Sequence, residues 1–211
     1  MTQLCCMIRL NLSETDAVQE MCMEKNPHHL VMGELVDFLT NDTLADTHDE
    51  RYRQKIARHL VQVCGYDKTD IHSRREVTIR AGLQSALVRI DFLVQAGAKA
   101  GMMVRFAPGS LVTRRLSNLA LSRIVFSYQI PVIVTTNGED AEIINGLTGK
   151  VTGHGIADIP DKNTLAALDS QTSFPLISEA LYQKASRIAY ACEVDGACPC
   201  DTDVCIIAPK E

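Results

Sequence analysis

Several things are missing from this 211-residue chain, and each absence narrows what it can be. No stretch approaches the ~20 consecutive apolar residues that a membrane-spanning helix needs. The first residues, MTQLCCMIRLNLSETD, lack a basic stretch followed by a long apolar run, so no secretory signal is read and a cytoplasmic location is expected. Internal repeats and low-complexity runs are absent, which leaves solenoids aside, and residues 1–30 are only weakly patterned, as a mobile or accessory extension would be. No Gly-x₄-Gly-Lys-Ser/Thr motif occurs, so this chain alone cannot drive translocation along DNA by nucleotide hydrolysis. Between Phe92 and Gly138 there is no acidic residue at all.

What is present reads as one globular α/β (α+β) domain with small appendages. The chain is long enough to bury a core without staples. Its net charge of -5 argues against a general polyanion binder. The charge is unevenly spread, however. From Arg74 to Arg123 nine basic residues face only Glu76 and Asp91, a net +7. Such a segment either marks a phosphate-facing surface or holds arginines that point apart and pair with local acids.

Periodicity supplies the elements. Tyr52, Ile56, Leu60 and Val63 recur at helical spacing and predict a helix over 48–64. Asp46 or Thr47 can cap it, Asp49 and Glu50 suit its positive end, and Gly65 stops it. Three strands follow, Glu76–Arg80, Ala86–Gln95 and Gly101–Phe106, the second β-rich and mostly apolar as a central strand would be. A helix is expected over 111–127, then a strand at Pro131–Thr135, a hairpin of Ala141–Asn145 with Lys150–Thr152, and helices at 162–169 and 176–192. This order suits a mixed central sheet with flanking helices. The expected divisions are an N-terminal extension over 1–35, a core over 36–155 and a helical C-terminal region with a cysteine-rich tail over 156–211.

Four stretches, taken in order, carry a family resemblance: DERYRQKIARHLVQVCGYDKTDI, LVRIDFLV, RFAPGSLVTRR and YQIPVIVTTNGEDAEIINGLTGKV. Together they resemble the N-terminal domain of type I restriction enzyme R subunits, which implies a restriction-endonuclease-like PD-(D/E)XK fold. In active members of that fold a helix-1 glutamate, a strand-2 aspartate and a strand-3 Glu-x-Lys converge on a divalent metal such as Mg²⁺. Carboxylates suit that hard ion, which activates water, while the lysine steadies the water and the developing charge. The resemblance places Glu50 at the helix-1 position and Asp91 at the strand-2 position. Anchoring on Ala107-Pro108 places Val104 and Phe106 where the glutamate and lysine belong, and neither can bind metal or orient water. The resemblance therefore implies a catalytically degenerate domain that binds DNA, a nucleotide or a protein partner, itself included. An active metal-dependent endonuclease with a relocated group is the alternative.

The retained residues also have plainer readings. Glu50 is an ordinary first-turn helix acid. Asp91, in an apolar strand, needs a partner, and Arg105 or Arg89 is the natural candidate. Asn137-Gly138-Glu139-Asp140 reads as a turn. Ser110, Thr113, Arg114 and Arg115 stand at the start of the expected 111–127 helix and could hold a phosphate of DNA or a nucleotide, or form a capped helix with solvated arginines. The tail carries Cys192, Cys198, Cys200 and Cys205 within fourteen residues, which could close on zinc or an iron–sulfur cluster. Free thiols, a disulfide or a purely structural module built on that metal are the other readings.

Overall fold

The computed structural model describes residues 30–95, 97–171, 174–195 and 204–207, without the side chains of Asp169 and Cys205. A small hairpin comes first, β1 (Glu34–Val36) with β2 (Thr43–Ala45). Helix α1 (His48–Gln62) follows, then β3 (Ile71–Ala81), β4 (Gln84–Gln95) and β5 (Ala100–Phe106). A short helix α2 (Arg115–Leu121) leads to β6 (Val132–Thr136), β7 (Ala141–Asn145) and β8 (Val151–His154). Helices α3 (Lys162–Gln171) and α4 (Glu179–Glu193) precede a last strand, β9 (Val204–Ile207). Six strands lie in the order β3-β4-β5-β6-β7-β8, with β9 added beside β4. All pairs are antiparallel except β5 with β6, which run parallel. The result is the mixed sheet with flanking helices that the element order implied.

Helix α1 forms for the reasons its sequence offers. The Thr47 hydroxyl accepts from the Glu50 N–H at 3.1 Å, and Gly65 takes the left-handed backbone that ends the helical run. Ile56, Ala57 and Leu60 are buried on its inner side. Burying Ile56 and Leu60 contributes roughly 1.5–3 kcal/mol each.

The expected 111–127 helix is broken into shorter pieces. Leu111–Arg114 is a 3-10 turn and only Arg115–Leu121 is α-helical. Ser110 makes no side-chain capping bond, and the Ser122 hydroxyl bonds back to the Leu119 carbonyl at 2.8 Å where the helix stops. Beyond it the chain turns so that Phe126 stacks on Tyr128. Strand β9 has no counterpart in the sequence expectations, which gave the tail to cysteine chemistry alone.

The sheet separates two apolar cores. On one side Val88, Ile90, Leu93, Met103 and Ile133 pack with Leu121 of α2 and with Ala185, Ala189 and Tyr190 of α4. On the other, Phe92, Val94, Val104 and Val134 pack with Ile56 and Leu60 of α1 and Leu165 of α3. The alternation of β4 slips between Ile90, which joins the first core, and Phe92, which joins the second. Strand β3 changes sides likewise, with Val77 and Ile79 in the first core and Ile71 in the second. The point of change lies between the pairs Ser73↔Phe92 and Arg75↔Ile90, which flank Arg74 on β3 and Asp91 on β4. Arg74 has φ +53°, a backbone that a residue with a Cβ rarely adopts.

Candidate functional site

The slip in β3 and β4 sets Asp91 where helix α1 and strand β5 both reach it. Asp91 is buried, and both of its carboxylate oxygens are engaged. The Arg53 Nε–H donates to Oδ1 at 2.6 Å, and the Phe106 backbone N–H donates to Oδ2 at 2.8 Å. Arg105 Nε lies 3.6 Å from Oδ2. The sequence argument that Asp91 must find an arginine is met chiefly by Arg53, with Arg105 at longer range. Arg89 instead faces Glu76 at 3.5 Å on the surface.

Glu50 is equally occupied. It is buried rather than a solvated first-turn acid, with Arg74 Nη2 at 2.6 Å and Gln54 Nε2 at 2.9 Å donating to its Oε1. Its Oε2 lies 3.9 Å from Arg53 Nη1. Arg53 and Glu50 are three residues apart on one helix, so both project toward Asp91 from the same face.

Two further carboxylates complete the arrangement. Asp37, just after β1, is 2 % exposed. Its Oδ1 accepts the Leu39 and Thr40 N–H groups, and its Oδ2 accepts Arg74 Nη1 at 2.6 Å and Gln54 Nε2 at 3.0 Å. Burial raises its pKa, but the Thr40 N–H, Arg74 and Gln54 outweigh that and hold the carboxyl below its ordinary value. Glu193, in the last turn of α4, accepts from Arg105 Nη2 at 3.2 Å. Burial also works against its charge, and Arg105, the Ser117 hydroxyl and Arg114 together bring it below the ordinary glutamate value.

The two replaced positions are part of the apolar packing. Val104 is fully buried in the α1 core. Phe106 stacks on Tyr52 with ring centroids 5.7 Å apart, and the Arg53 guanidinium lies 5.4 Å from the Phe106 centroid. Tyr52 in turn fits against Gly138, whose left-handed backbone and bare α-carbon leave room for the ring. Asn137–Asp140 is the expected turn, closed by Asn137 Oδ1 accepting from the Glu139 and Asp140 N–H groups.

A divalent cation does not fit this set. Mg²⁺ binds carboxylates that are free to face it together with water. Here Arg53 lies against Asp91 and reaches toward Glu50, Arg74 and Gln54 donate to one oxygen of Glu50, and the side chains of Val104 and Phe106 are hydrocarbon.

The basic stretch lies elsewhere in the fold. Arg115 makes a two-pronged ion pair with Glu142 of β7, which raises the pKa of the arginine and lowers that of the glutamate. Thr113 Oγ1 donates to the Ser110 carbonyl at 2.8 Å, and Arg114 is half-buried near Glu193. Of the four tail cysteines, Cys192 is a half-buried free thiol in α4, its pKa raised by burial and by Glu193. Cys205 lies in β9 opposite Leu87, while Cys198 and Cys200 fall outside the described residues. Among the described residues no three His, Cys, Asp or Glu side chains gather as a metal site, and no helix is long and apolar enough to cross a membrane.

A family model described as the type I restriction enzyme R protein N terminus matches residues 48–160. The chain belongs to this family. No curated protein and no solved structure matches it. The matched segment of this restriction-enzyme family runs from the first turn of α1 to the end of the 3-10 turn after β8. It contains Glu50, Arg53, Arg74, Asp91 and Arg105. Asp37 precedes it and Glu193 follows it. Each of these outer carboxylates takes one arm of an arginine whose other arm faces a carboxylate inside the segment: Arg74 joins Asp37 to Glu50, and Arg105 joins Glu193 to Asp91.

Sequence reasoning missed Arg53, Arg74, Asp37 and Glu193. Arg53 was within reach, because its spacing from Glu50 puts both on one helix face. Asp37 and Glu193 carry no local signal, since they arrive from positions distant in sequence.

Proposed function

We propose that this domain is a non-cleaving member of the restriction-enzyme R-subunit family, retained to bind DNA rather than to cut it. The observation that carries this reading is Arg53. Its guanidinium lies between Glu50 and Asp91, over the Phe106 ring, on the ground where the fold family would hold a metal. A fixed side-chain cation there neutralises both carboxylates without being able to activate water. The residues that would supply a third carboxylate and a lysine are Val104 and Phe106.

The DNA contact we assign to the segment Ser110–Arg115. Ser110, Thr113, Arg114 and Arg115 fall within six consecutive residues, and Arg115 is steadied by Glu142. Phosphate contacts of that kind release counterions, so affinity should fall steeply with salt.

Two measurements test the proposal. Purified protein incubated with supercoiled plasmid and Mg²⁺ or Mn²⁺ is expected to leave it uncut, and cleavage that vanishes in Asp91→Ala would overturn the reading. Duplex binding followed by fluorescence anisotropy is expected to weaken, with a shallower salt slope, in the Arg114→Ala/Arg115→Ala variant. Unchanged affinity in that variant would remove this segment from the interface.

A further inference from the structure

Strand β3 is eleven residues long and lies at one end of the sheet. Among the described residues it pairs with β4 alone, so its other long edge presents backbone N–H and C=O groups to whatever can pair with them. The opposite end of the sheet is guarded differently. Strand β8 has four residues, and its pairing with β7 is bulged at Ile143 and Ile144. Short, bulged edges resist addition of another strand. Beyond the left-handed Arg74, β3 continues in unbroken register from Arg75 to Ala81, with no proline and no bulge.

The side chains along that edge are complementary to themselves. Val77 and Ile79 lie on the face covered by α4. Glu76, Thr78 and Arg80 alternate with them on the other face, Glu76 and Arg80 exposed and Thr78 half-buried. We propose that two copies of this chain pair antiparallel through β3, about a twofold axis at Thr78, to make one continuous sheet. In that register Glu76 of each copy, which faces Arg89 of its own chain at 3.5 Å, also stands opposite Arg80 of the other, with Val77 opposite Ile79 and Thr78 opposite Thr78. Opposite charges, β-branched pairs and threonine pairs facing across strands each favour pairing.

The neighbouring registers are worse. A one-residue slip is forbidden because it would turn each buried Val77 and Ile79 toward the exposed face. A two-residue shift one way sets Arg74 opposite Arg80. The same shift the other way sets Glu76 opposite Gly82 and leaves Arg80 facing Thr78. The complementarity therefore selects one arrangement and one partner, a second copy of the chain. The paired stretch begins just beyond Arg74, the residue β3 contributes to the Glu50–Asp91 ion-pair network.

The test is the mass of the full-length protein in solution by sedimentation equilibrium, from low to high micromolar concentration. A reversible dimer is expected. Arg80→Glu sets a glutamate against Glu76 in both halves of the interface and is expected to weaken dimerisation about tenfold or more. Adding Glu76→Lys to Arg80→Glu restores opposite charges across the axis and is expected to recover most of the lost affinity. Circular dichroism of each variant separates loss of pairing from loss of fold. A wild-type chain that stays monomeric throughout, or a dimer indifferent to Arg80→Glu, would overturn the proposal.

Discussion

The pocket around Asp91 and the basic stretch around Arg115 make opposite use of the same ingredients. Both hold arginines against carboxylates. In the pocket the pairs are buried and shared, with Arg53, Arg74 and Arg105 each serving two acids. At the stretch, Arg115 meets Glu142 with 39 % of its side chain exposed. Buried, the charges are engaged chiefly with one another. Glu142 is itself buried, so only the arginine half of this pair reaches solvent, and a phosphate there would meet Arg115 alongside Glu142 rather than in its place. What a buried carboxylate can do is thus decided by its neighbours.

The largest effect expected from breaking this contrast is in the pocket. Asp91→Ala leaves Arg53 buried without its closest acid and the Phe106 N–H without an acceptor, and should lower unfolding free energy by about 3–5 kcal/mol. Urea denaturation measures this. A loss under about 1 kcal/mol would place the pocket in the same class as a surface pair.

Next comes Arg74, which holds a left-handed backbone while bridging Asp37 and Glu50. Arg74→Ala should cost roughly 2–3 kcal/mol, since two buried acids lose a charged hydrogen bond. Replacement by glycine, which accepts that backbone, should cost less than alanine if the positive φ persists.

A pH titration sharpens the comparison further. The Asp37 and Glu193 carboxyls are held below their ordinary values in the fold. Fewer protons are bound in the folded than in the unfolded chain, so their contribution is complete above the ordinary carboxylate range. It is lost as pH falls through the lowered folded values. Thermal denaturation should therefore show an acid limb that flattens in Asp37→Asn.

Arg115→Ala leaves the buried Glu142 without its partner, and the same change should weaken duplex binding in fluorescence anisotropy. In the tail, the four cysteines carry the expectation of about one zinc per chain in a colourless protein. Elemental analysis of anaerobically purified protein checks it. A brown protein would point to iron–sulfur instead, and metal-free protein would retire the idea.

Much of the frame was legible in the sequence because it is written locally. Helical spacing of Tyr52, Ile56 and Leu60, the Thr47 cap and the apolar runs of β4 to β7 each fix an element from a few neighbouring residues. The broken helix after Ser110 was not legible, because its end depends on where the chain next packs, with Phe126 on Tyr128. Strand β9 was hidden too, its place set by a free stretch of β4 beyond the end of β5.

Sequence by itself determined the family and the mixed sheet with flanking helices, since both are written in residues near one another in the chain. Only the tertiary structure decided what became of Glu50 and Asp91. Their partners come from α1, β3, β5, the segment after β1 and the last turn of α4. Pairing of charges depends on distance and burial in space, and no spacing along the chain encodes that Asp37 and Glu193 would close the two ends of one ion-pair network.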